Sequence, residues 1–115
     1  MSVTDSRVRD DIKYIVELLV KEDYQRLQSL DLFPHGDIWV LSERIQDYPG
    51  HMTMPPDESF KDFDFIEFEA TEDNFFFQAD FDLWFNNQAS DLTAQFIPSR
   101  NTSGLLVCLY DVHVL

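Results

Sequence analysis

The chain has 115 residues, 44% of them hydrophobic and 15% aromatic, and its 22 Asp and Glu against 8 Lys and Arg give a formal charge of −14. That length supports one core and not two, so residues 1–115 are read as a single domain, and the apolar content, 11 Phe included, excludes wholesale disorder. A pI near 4.2 excludes nucleic acid and anionic membrane as partners, because like charges repel.

The first half of the chain carries helical spacing. Val8, Ile12, Ile15, Val16 and Leu19 place one apolar stripe on a helix from about Ser6 to Val20, with Asp10 and Asp11 early in it. Tyr24, Leu27 and Leu30 suggest a shorter helix capped by Asp23, either separate from the first or fused to it. After the Phe33-Pro34-His35-Gly36 break, Ile38, Leu41, Ile45 and Tyr48 form a third stripe that starts at Asp37 and stops at Pro49-Gly50.

The period then changes. Met52 to Pro56 is expected to be extended, since each proline fixes its own backbone and biases the residue before it towards β. In 62–69 the apolar residues shift from odd positions (Phe63, Phe65) to even ones (Ile66, Phe68), which predicts a bulge near Phe65. Phe75, Phe77, Ala79, Phe81, Leu83 and Phe85 then alternate with Gln78, Asp80 and Asp82, the pattern of a long strand with one buried face. Segments 91–97 and 105–115 supply two more strands, joined by a turn region from Pro98 to Gly104. The expected fold class is α+β: two or three N-terminal helices packed on a curled four-stranded antiparallel meander, cystatin-like or NTF2-like by analogy of element order.

Four local patterns resemble a small uncharacterised bacterial domain family. They are Leu19-Val20-Lys21-Glu22-Asp23-Tyr24-Gln25-Arg26-Leu27; Pro55-Pro56 followed by Phe60; Leu83-Trp84 with Ser90-Asp91-Leu92-Thr93; and Asp111-Val112-His113-Val114-Leu115. The resemblance implies the one-domain fold and assigns no activity. It also implies an acidic, glycine-containing loop after Leu83-Trp84, where this chain has Phe85-Asn86-Asn87-Gln88-Ala89. In size and charge the chain is similar to the immunity proteins that bacteria encode beside secreted toxins.

Little in the sequence points to catalysis. The three glycines, Gly36, Gly50 and Gly104, permit neither a phosphate-binding loop nor a nucleophile elbow. His35, His51 and Cys108 have no partner at zinc-site spacing, so no metal or other cofactor is expected. Cys108 has no second cysteine to pair with, and its neighbours Val107 and Leu109 suggest a buried thiol in a reducing compartment, hence the cytoplasm. The longest apolar stretch, 105–109, covers a fraction of a bilayer. Asp111 and His113 share a strand face and offer either an acid–base dyad, with Asp91 from the next strand, or a polar rim.

The acidity is concentrated. Residues 57–82 hold ten acids and one base, a net of −9. The carboxylates of Asp64, Glu67, Glu69, Glu72 and Asp73 match no EF-hand spacing and read as a solvated hairpin or as a negative docking face. The expected function is therefore a non-enzymatic module that binds a basic protein, most concretely an immunity protein neutralising a toxin such as a nuclease. Its candidate contact residues are Asp62, Asp64, Glu67, Glu69, Glu72, Asp73, Asp80, Asp82 and Trp84. The alternative is an NTF2-like small-molecule binder or enzyme, with a pocket lined by Phe77, Phe81, Phe96 and Leu109 and polar groups from Asp91, Asp111 and His113. Trp39 and Trp84 are each either core residues or surface anchors.

Overall fold

The computed structural model describes residues 3–61, 63–70, 75–99 and 104–114, and the side chains of 6–61, 63, 77–99 and 104–114. Helix α1 (Val3–Val20) buries the predicted stripe completely: Val8, Ile12, Ile15, Val16 and Leu19 are all 0% exposed. It ends because Glu22 turns left-handed (φ 57°), which lets the Asp23 N–H reach back to the Leu18 carbonyl at 2.9 Å. Asp23 then accepts the Arg26 N–H and caps α2 (Tyr24–Ser29), so the two helices stay separate. Asp31 (φ 53°) ends α2 in the same manner, with the Leu32 N–H on the Leu27 carbonyl at 2.9 Å. Asp37 caps α3 (Ile38–Asp47) by accepting the Trp39 and Val40 N–H groups.

The remainder is strand. A two-residue β1 (Met52–Thr53) and a 3₁₀ turn (Asp57–Phe60) lead into β2 (Asp64–Ala70), β3 (Phe75–Phe85), β4 (Gln88–Pro98) and β5 (Val107–Val114). Strands β2 to β5 pair antiparallel in chain order, and β1 pairs with β3 beyond the end of β2. The sheet is not closed, with β5 at its far edge. The fold is therefore α+β, three helices followed by an antiparallel meander, as the pattern predicts.

Two details differ from the sequence reading. The bulge in β2 falls between Glu67 and Glu69 rather than near Phe65. Strand β4 starts at Gln88, three residues earlier than the alternation suggests, because Asn86 (φ 52°) and Asn87 (φ 63°) close a two-residue hairpin of the mirror-image type that matches strand twist. Asn86 also locks this turn to the segment before β1. Its side chain accepts the His51 N–H at 3.1 Å, its own N–H donates to the His51 carbonyl at 2.8 Å, and Gly50 (φ 95°) passes close enough that a Cβ would lie 2.5 Å from Asn86 Nδ2.

The helices cover one sheet face. Phe77, Ala79, Phe81, Leu83 and Phe85 from β3, Leu92, Ala94 and Phe96 from β4, and Val107, Leu109 and Val112 from β5 join α1 in one buried cluster. Edge strand β5 is also covered. The Leu109 N–H donates to the Leu32 carbonyl (2.7 Å), the Leu106 N–H before the strand to Asp11 Oδ2 (2.7 Å), and Arg44 donates to the Val112 carbonyl. Such occupation removes the open row of backbone groups that would otherwise template further strands.

Candidate functional site: the cleft beside strand β3

Strand β3 has a gap along one side. Strand β1 pairs with Trp84 and Phe85, and β2 pairs with the stretch from Phe75 to Asp80, so among the described residues Phe81 to Leu83 meet no strand there. The chain from Met54 to Lys61 crosses this gap instead. Phe60 is buried and stacks on Phe81 (centroids 4.8 Å apart, 11° between planes), and Phe63 meets the same ring edge-on at 5.8 Å. Helix α1 clamps the crossing segment from behind. Arg9 donates to the Phe60 carbonyl at 3.0 Å and lies over the Phe63 ring, and Lys13 pairs with Asp57 at 2.8 Å. That hydrogen bond and ion pair hold the Asp57 carboxyl below, and the Lys13 ammonium above, their ordinary ranges.

Between the crossing segment and β3 lies a cleft of about 480 Å³. Phe63, Phe81 and Pro56 give it an apolar side, and Asp80, Asp82, Glu58 and Trp84 a polar and aromatic one. Among the described residues no cationic side chain pairs with Asp80 or Asp82. Their hydrogen bonds come from neutral donors, Gln78 Nε2 to Asp80 (3.0 Å) and the Thr93 hydroxyl to Asp82 (3.1 Å). A neutral donor orients a carboxylate without cancelling its charge, so both remain available to an incoming cation.

The other predicted contact residues divide in two. Asp64, Glu67 and Glu69 lie on β2, with Asp64 in register opposite Asp80, so two carboxylate-bearing positions face each other across the hairpin. Asp62, Glu72 and Asp73 fall outside the described residues.

The alternative polar set is arranged differently. Asp111 and His113 do come together, His113 Nδ1 lying 3.1 Å from Asp111 Oδ2, but on the sheet face opposite the helices, since their partners Gln95 and Thr93 alternate with the inward Ala94 and Phe96. Asp111 already accepts from Arg44 (2.9 Å) and from the Val112 N–H (2.9 Å). Asp91 accepts the Tyr48 hydroxyl. The four side chains proposed to line an interior pocket, Phe77, Phe81, Phe96 and Leu109, are at most 1% exposed and packed with α1. They form the core, and the polar trio lies away from it.

Trp39 resolves to the surface, 73% exposed, whereas Trp84 is half-buried at the cleft. The crossing segment was the part hidden from sequence reasoning. Its only signal was Pro55-Pro56 followed four residues later by Phe60, which marks a stiff turn with one apolar anchor.

Three helices and an open antiparallel sheet, with a carboxylate cleft at a gap beside β3, define an α+β domain. More particularly, the chain belongs to the family described as a domain of unknown function (DUF7668), whose model matches residues 16–115. No curated protein matches the chain, and no solved structure matches it. No helix among the described residues is long and apolar enough to cross a membrane.

Proposed function

We propose that this chain is a non-catalytic binding module that docks a basic protein on the β3 side of its sheet, and concretely that it acts as an immunity protein neutralising a basic toxin such as a nuclease. The observation that carries the reading is the cleft itself: two carboxylates with no cationic partner among the described residues, Asp80 and Asp82, beside Trp84 and an apolar floor. Protein interfaces combine these elements, an aromatic anchor for affinity and charge for steering and discrimination. Asp64 holds the register position opposite Asp80, and the net charge of −14 directs the long-range field towards cations. The test is co-expression with the toxin-like product of a neighbouring gene. Rescue of growth and a stoichiometric complex are expected; growth arrest with no complex refutes the immunity reading.

A further inference from the structure

Five large hydrophobic side chains are exposed among the described residues; two of them, Val40 (49%) and Tyr110 (48%), line one hollow between the start of α3 and β5, and a third, Trp39 (73%), precedes Val40 on α3. Single exposed apolar residues are ordinary, but a cluster rimmed by charge marks an interaction surface. Trp39 and Val40 stand side by side in the first turn of α3. From Val40 the surface continues across a hollow of about 290 Å³, floored by Phe33 and Leu41 and walled by His35 and Tyr110. The His35 and Tyr110 rings support each other with centroids 5.7 Å apart. A space at or below the ~300–1,000 Å³ of ligand sites suits one large side chain from a partner better than a whole cofactor.

The form of the partner follows from what the corner refuses. Strand addition to β5 is blocked, because the Leu109 N–H is held by Leu32, and the Val112 N–H and carbonyl by Asp111 and Arg44. Recognition must therefore run through side chains rather than through a backbone ladder. The rim settles the charge. Arg44, which lines the hollow, is neutralised by Asp111, which leaves Asp37 at its edge and Glu43 and Asp47 further along α3 as the exposed charges of the helix and its cap. A second copy of the chain would bring the same anionic rim against itself, with −14 on each side. We infer that this corner is a second docking surface, separate from the β3 cleft and at the opposite edge of the sheet, which takes a cationic amphipathic segment of another protein: one large apolar side chain in the hollow, flanked by Lys or Arg against the acidic rim and Trp39. The two surfaces together would let one chain hold two partners, or grip one at two points.

The experiment is an NMR titration of the isotope-labelled chain, whose two indole N–H signals, assigned with Trp39→Phe, report the two surfaces separately. The probe is a synthetic peptide of about four helical turns, with Phe and Leu along one face and Lys elsewhere. Its controls are the same peptide with Ser at every apolar position and the same peptide with Glu for Lys. The expected result is a saturable shift of the Trp39 indole, affinity at least about tenfold weaker for Val40→Ser/Tyr110→Ser and for both controls, and no change for Asp80→Asn/Asp82→Asn. Three results would each overturn the inference: a shift confined to the Trp84 indole, equal binding of the Ser control, or a dimer in sedimentation that Val40→Ser/Tyr110→Ser dissociates. None of these bears on the toxin-rescue test, so the two proposals fail separately.

Discussion

Replacing Phe60 tests whether the crossing segment that builds the cleft is held as described. The ring is 4% exposed and stacked on Phe81, and Lys13 lies 5.9 Å above it. Truncation to Ala removes a buried aromatic and leaves a cavity that the double-proline segment cannot easily fill, a loss of about 3–5 kcal/mol. Some ~0.5–1.5 kcal/mol of that belongs to ring stacking beyond burial. A domain of this size holds about 5–15 kcal/mol in total, so Phe60→Ala should forfeit about a fifth of it or more. Phe60→Leu keeps most of the buried area and should cost about 1–1.5 kcal/mol. The assay is equilibrium denaturation in a Trp39→Phe background, where Trp84 at the cleft is the sole tryptophan and is excited selectively over the four tyrosines. Phe60→Ala should lower the midpoint and shift Trp84 emission to the red in the native baseline, as the cleft wall loosens. A cost below about 1 kcal/mol with native emission unchanged would show that the ring does not anchor the wall.

Substitutions at three further positions probe the frame. Burial pushes the Asp11 carboxyl above its ordinary value against the opposing pull of its bond from the Leu106 N–H; Asp11→Asn keeps an acceptor for that N–H and should be nearly neutral, whereas Asp11→Ala strands it and should cost about 1–3 kcal/mol in denaturant unfolding. Gly50→Ala places a Cβ against Asn86 in a left-handed backbone and should cost about 1–3 kcal/mol, read as a fall of several degrees in Tm. Burial first, and the Asp31 carboxylate second, push the Cys108 thiol from 9.0 up to about 11. A raised pKa means the folded state keeps the proton, so this contribution is complete below pH 9 and lost as pH climbs towards about 11. The stability difference between the parent and Cys108→Ala should shrink over that window, and parallel curves would contradict the assignment.

The alternation of Phe77, Ala79, Phe81, Leu83 and Phe85 made the inward face of β3 legible, because period two has no other reading in a strand that long. The stripe of α1 was legible for the same reason at its own period. Boundaries set by backbone conformation were not. Glu22, Asp31, Asn86 and Asn87 all adopt positive φ without being glycine, so the ends of α1 and α2 and the β3–β4 turn carry weak compositional marks. The family-like patterns turn out to be largely structural. Asp23 caps a helix, Ser90 satisfies the Leu83 carbonyl at the bulge in β4, Thr93 bonds Asp82, and Asp111 holds Arg44 to the edge of β5. For the site, Asp80, Asp82 and Trp84 could be placed on one face by alternation, but not the gap that makes that face concave. The gap depends on where β1 and β2 stop, which pairing decides and composition does not.

The central claim, that the β3 carboxylates steer a basic protein onto the cleft, is tested most directly by stopped-flow association with the basic product of the neighbouring gene. The measurement compares the parent chain with Asp80→Asn/Asp82→Asn from about 0.05 to 0.5 M salt. The parent's association rate should fall by about tenfold or more across that range, and the double variant should bind several-fold more slowly at low salt and depend less on salt. Association that ignores both the salt and the two carboxylates would contradict it.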